Sequence, residues 1–178
     1  MTLTEIATPV LCNGLPKSGT HALEKAVQLL GQTTELAHIP FADRRDGAQL
    51  LVKRNPRNIV ISWLRHRGSP ITEGSIIHAI KAYDGEGVAA RHAAYSGYLT
   101  TDDVLVVQFE RLLSDENELM RIAEHIGCAY LSDAFDHIPG LTVTWTGELS
   151  NWVDHWTDRI DNEWVAAGGL EVEAEWSY

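Results

Sequence analysis

Basic residues are scarce in this chain. Fourteen lysines and arginines stand against twenty-five aspartates and glutamates, for a formal net charge of −11 with histidines neutral. That balance argues against general binding to nucleic acid, which needs a basic footprint, and it disfavours heparin-like polyanions as substrates. It does not exclude a site for one small anion, because a local nest of amides and a few cations outweighs the field of the whole surface. Cysteine is almost absent. Cys12 and Cys128 are far apart in sequence among apolar neighbours. They read as buried thiols in a reducing compartment, with one disulfide between them as the alternative. No apolar run is long enough to span a bilayer, and the opening M-T-L-T-E-I lacks the basic and apolar regions of a secretory signal. Both features lead us to expect a cytoplasmic protein without a membrane partner. The histidines show no H-x-x-x-H spacing, so no metal site is expected. Internal repeats and low-complexity linkers are lacking too, and 178 residues suit a single domain over 1–178.

What is present is an alternation of strand and helix signals. Residues 8–13 suit a strand that ends in a glycine turn. Residues 20–30 suit an amphipathic helix with Leu23, Ala26, Val27 and Leu30 on one face, closed by Gly31. Residues 35–39 suit a short strand and 49–53 a stronger one. Asn55-Pro56 then opens a helix over 57–67. Residues 72–100 look helical with a break near 84–87, residues 103–109 form the clearest buried strand, and 115–127 another helix. Such alternation requires crossover connections, hence an α/β fold with a mostly parallel central sheet covered on both faces. Ligands of such sheets sit beyond the carboxyl ends of the strands. The glycine turn, His38 and Arg54 all fall at or near such ends.

The turn reads N-G-L-P-K-S-G-T over residues 13–20. Glycines admit close approach of an anion, successive amides point at it, and the following helix adds its positive end. Lys17 contributes a full charge, and Ser18 and Thr20 contribute hydroxyls. The order differs from the G-x-x-x-x-G-K-[ST] loop of nucleotide hydrolases and kinases, because Lys17 precedes the second glycine. Trp152 and Trp156, four residues apart, suit one helical face packed into the core.

The stretch P-K-S-G-T resembles the 5′-phosphosulfate loop of sulfotransferases that use 3′-phosphoadenosine 5′-phosphosulfate (PAPS). The later run Arg54-Asn55-Pro56, with Ser62 eight residues after the arginine, matches that family's R-N-P-x-x-x-x-x-S segment. Between the two lies L-A-H-I-P (residues 36–40), similar to the family's K-T-H-L-P. Q-F-E-R-L-L (residues 108–113) is similar to Y-E-D-L, with Phe109 in place of tyrosine. Residues 144–157 resemble R-K-G-x-x-G-D-W-K-N-H-F-T, with Trp145 and Thr146 where the family has a basic pair. The resemblance covers roughly residues 8–158 and implies a three-layer, P-loop NTPase-like fold and sulfuryl transfer from PAPS to a hydroxyl or amine, leaving 3′,5′-adenosine bisphosphate (PAP), without a metal. It implies that Lys17 stabilises the bridging oxygen and that His38 is the base. It further implies that Pro16, Lys17, Ser18, Gly19 and Thr20 hold the 5′-phosphate, and that Arg54 and Ser62, with Thr144, Thr146 and Gly147, hold the 3′-phosphate. His21, one position away from a tryptophan that commonly stacks on adenine, is a further candidate for holding the cofactor. The acceptor is expected to be a small molecule or glycan-like compound in a pocket built from residues 41–47, 68–100 and the C-terminal tryptophans. Two other readings are a P-loop nucleotide kinase or hydrolase, and a non-catalytic module that binds adenosine bisphosphate.

Overall fold

The computed structural model describes residues 8–138 and 149–178. Four strands form one sheet in the order β2-β1-β3-β4, with every pairing parallel: β1 (Val10–Gly14), β2 (Thr34–Leu36), β3 (Gln49–Lys53) and β4 (Val104–Gln108). Every β1 residue is buried, as expected of a strand covered on both faces. Alternation along β3 divides the core. Leu51 faces a cluster built with Ile59, Ile61, Ile80, Tyr83 and Trp164. Leu50 and Val52 face the opposite cluster with Leu23, Val27, Leu112, Leu119 and Ile122. The helices α1 (Thr20–Leu29), α5 (Phe109–Leu112) and α6 (Glu116–His125) cover this second face. On the first lie α2 (Pro56–His66), α3 (Glu73–Ala82), α4 (Val88–Ser96), α7 (Asp158–Ala166) and α8 (Gly169–Trp176). The α/β sandwich with a parallel sheet between helical layers is therefore the fold. Among the described residues, no helix is long and apolar enough to cross a membrane.

Local chemistry explains the element ends. Asn55 caps α2 by accepting from the amides of Arg57 and Asn58, and Pro56 occupies the first turn, where its missing N–H costs nothing. Thr72 and Ser75 cap α3 reciprocally.

Several expectations need correction. The second strand stops at Leu36 rather than reaching Ile39. After Ala37 donates to the Cys12 carbonyl, the Asn13 side chain takes over the ladder: its Oδ1 accepts from the Ile39 amide at 2.8 Å and its Nδ2 donates to the Ile39 carbonyl at 2.9 Å. The chain peels off the sheet there, and His38 lies on the resulting loop. Phe109 opens α5 instead of ending β4. Trp152 and Trp156 do not share an α-helical face; they flank a 3₁₀ turn over Val153–His155 and are only half-buried. Both cysteines are free, which removes the disulfide alternative, and Cys128 is only half-buried.

Candidate functional site

Gly14 ends β1 tightly against β3. A Cβ there would lie 2.5 Å from Ser18 Oγ and 2.8 Å from the Val52 carbonyl, so only glycine admits the Ser18 hydroxyl behind the loop. The loop closes with the Ser18 amide donating to the Leu15 carbonyl at 3.0 Å. At its apex Lys17 has φ of 73°, a left-handed conformation costing about 1–2 kcal/mol for a residue with a Cβ. Bonds on either side hold it. The Tyr83 hydroxyl donates to the Pro16 carbonyl, and Arg54 Nη1 donates to the Lys17 carbonyl at 3.3 Å. Burial pulls the Lys17 ammonium below the usual lysine range.

Gly19 then turns the chain into α1. No side chain caps this helix and its first turn carries no acid, so its leading N–H groups and positive end face the loop. Gly19 has φ of 110°, and a Cβ would sit 2.2 Å from Phe109 Cδ2. Gly19→Ala therefore combines backbone strain with overpacking. It should destabilise the fold by about 3 kcal/mol, readable as a lower urea midpoint with an unchanged slope.

The same Phe109 ring supports Arg54, whose guanidinium lies 4.5 Å above it. Arg54 is 6 % exposed, Nε has no partner among the described residues, and no carboxylate among them pairs with the guanidinium. Burial lowers its pKa to about 10, with Glu110 acting in the other direction, so it stays charged at neutral pH. Glu110 itself is engaged: it accepts from the Asn55 amide and the Tyr178 hydroxyl, each at 3.0 Å. Ser62 is buried on α2, one turn beyond Asn58, whose Nδ2 donates to the Leu149 carbonyl at 2.6 Å.

His38 completes the group. Its Nδ1 lies 2.7 Å from the Gly14 carbonyl. A carbonyl only accepts, so Nδ1 carries the proton and Nε2 presents a lone pair. The Asn13 clamp and the Tyr98 hydroxyl, which donates to the Ile39 carbonyl at 3.2 Å, fix the loop that carries the ring.

Thus Pro16, Lys17, Ser18, Gly19, Thr20, His38 and Arg54 are linked through backbone atoms at one end of the sheet. His21 stands apart on the first turn of α1, its side chain 71 % exposed and Nδ1 3.5 Å from Glu24. Thr144, Thr146 and Gly147 lie outside the described residues. The supporting roles of Asn13, Tyr83 and Phe109 are not written in the motifs that the sequence displays. Asn13 sits directly before the glycine turn, but a buried asparagine inside an apolar strand was the sole signal for it.

The site has the character of a cradle for a phosphorylated anion. Two buried donors, Ser18 Oγ and Arg54 Nε, have no partner among the described residues. An uncapped helix end and an inserted lysine sit beside them. The residues present fit a phosphate group.

No family model matches this sequence, and no curated protein matches it. Among solved structures, the chain is similar to mouse sulfotransferase SULT7A1 in complex with PAP. The TM-score is 0.75 at 12 % sequence identity, over 93 % of this chain and 83 % of that one. At such identity the likeness establishes the fold alone, an α/β sandwich with a parallel sheet between helical layers.

Proposed function

We propose that this protein is a sulfotransferase that uses PAPS and releases PAP. The observation that carries the proposal is the linkage of three elements: the Lys17 loop, buried Arg54 bonded to that loop's backbone, and His38 bonded through Nδ1 to the Gly14 carbonyl at the start of the loop. PAPS would supply an activated sulfuryl group for transfer to a hydroxyl or amine.

The protein's own part is positioning and charge. The amides of Ser18, Gly19 and Thr20 and the positive end of α1 would hold the 5′-phosphate. Lys17, whose left-handed backbone is held by the bond from Arg54, would meet negative charge that develops on the departing phosphate. Arg54 and Ser62 would hold the 3′-phosphate, and the Arg54–Lys17 backbone bond ties the two phosphate sites together. His38 Nε2 would accept the acceptor's proton while Nδ1 stays bonded to Gly14. Thr144, Thr146 and Gly147 are proposed to add contacts to the 3′-phosphate. The acceptor is proposed to be a small-molecule or glycan-like hydroxyl or amine compound.

Thermal unfolding in the presence of PAP, with ADP and with ATP and Mg²⁺ as controls, tests the reading. At one hundred times its Kd, the bisphosphate should add about 2.7 kcal/mol of stability. The increment should vanish in Arg54→Ala. Stabilisation by ATP and Mg²⁺ alone would identify a nucleotide kinase or hydrolase instead.

A further inference from the structure

On α2, Asn58, Ser62 and Arg65 are spaced four and three residues apart. At 3.6 residues per turn they fall within about 60° of one another around the helix. This stripe is turned inward: Asn58 and Ser62 are buried and Arg65 is half-buried, whereas the next two residues, His66 and Arg67, are exposed. Asn58 fixes its direction by bonding the Leu149 carbonyl.

Arg54 lies before the same helix, close enough to Arg65 for the two charges to repel, and that repulsion favours loss of a proton from Arg54. A protein with a net charge of −11 has set Arg65 one turn from the buried Ser62 and within electrostatic reach of Arg54, whose Nε has no partner among the described residues. Like charges brought together in this way raise the free energy of the empty site and lower that of the site holding a dianion. The sequence also carries Trp145 and Thr146 where sulfotransferases carry a basic pair, so positive charge must come from elsewhere if a 3′-phosphate is to be held.

We infer that Arg65 is a further ligand of the 3′-phosphate, forming with Arg54 and Ser62 the surface that separates 3′-phosphorylated nucleotides from those with an unmodified 3′-hydroxyl. This inference rests on the proposed use of PAPS. It adds a residue that the sequence comparison did not point to, and it assigns to that residue the discrimination between nucleotides rather than binding in general.

Calorimetric titration of the full chain with PAP and with adenosine 5′-monophosphate separates the possibilities. Wild type should prefer the bisphosphate. Arg65→Ala should weaken bisphosphate binding by about ten- to a hundredfold, as loss of a charge-assisted contact does. Affinity for the monophosphate should stay within about twofold. Arg65→Lys should recover part of the preference, because it keeps the charge and loses the planar fork. Unfolding midpoints of the variants should match wild type within a few degrees. If wild type discriminates and Arg65→Ala discriminates equally well, the assignment of Arg65 is wrong while the PAPS reading stands. Equal loss of both nucleotides in Arg65→Ala would mark a structural residue and overturn the assignment. If wild type binds both alike, the PAPS reading fails and this inference falls with it.

Discussion

If the protein transfers sulfuryl groups as proposed, His38→Ala should lower that transfer by about 10²- to 10⁴-fold, the contribution of a positioned general base, and should leave affinity for PAP within about twofold. The two halves of this result come from separate atoms. Nδ1 is committed to the Gly14 carbonyl at 2.7 Å, so Nε2 is the basic nitrogen. The clamp formed by Asn13 and Ile39 holds the loop whether or not the ring is present. The ring's removal therefore takes away proton acceptance without collapsing the cradle. The assay is release of PAP from PAPS in the presence of a panel of small hydroxyl and amine compounds. Added imidazole should restore part of the rate in the alanine variant. Near-normal turnover in His38→Ala would dismiss the histidine as the base, and an equal loss of nucleotide binding would make it a loop support.

Lys17→Ala should reduce the same transfer by about 10²- to 10³-fold, the cost of losing one preorganised group aimed at developing charge. Product affinity should fall far less, by about tenfold, because the loop amides and the end of α1 remain. Alanine retains a Cβ, so the left-handed backbone at this position carries the same strain before and after the change. The comparison then isolates the ammonium group. Single-turnover measurements at saturating PAPS distinguish loss in the chemical step from loss in binding; a defect confined to binding would remove Lys17 from the chemistry.

Much of the scaffold was legible because burial leaves a simple trace. The apolar runs at β1 and β3 are covered on two faces, whereas β4, read as the clearest buried strand, lies at the sheet edge with three of its five residues only half-buried; the residues after these strands mark the carboxyl edge of a parallel sheet. Lys17, His38 and Arg54 could be placed together on that ground alone. Contacts between residues distant in sequence leave no such trace. Phe109 read as a tyrosine lacking its hydroxyl, yet its ring is the surface on which both Gly19 and Arg54 rest. Asn13 looked like part of the turn and acts as two rungs of a strand. The end of β2 at Leu36 is hidden from the sequence for the same reason, since a side chain substituting for backbone leaves no periodic signature. The tryptophan spacing suggested an α-helix because a 3₁₀ turn followed by an extended residue also brings positions four apart together.

The arginine that follows Asn55-Pro56 gathers those tryptophans. The Arg57 guanidinium lies 4.8, 4.9 and 5.5 Å from the rings of Trp152, Trp156 and Trp164, and bonds Glu173 at 2.5 Å and Asp161 at 2.8 Å. It sits three residues from Arg54, at the start of the helix that carries Ser62. Four of the five described tryptophans belong to the segment after residue 149, and three of them enclose this one cation. The protein thus contains its own optical gauge. Its ultraviolet emission registers chiefly how the C-terminal helices seat on α2, so occupancy beside that helix can be followed by colour and intensity without an attached dye.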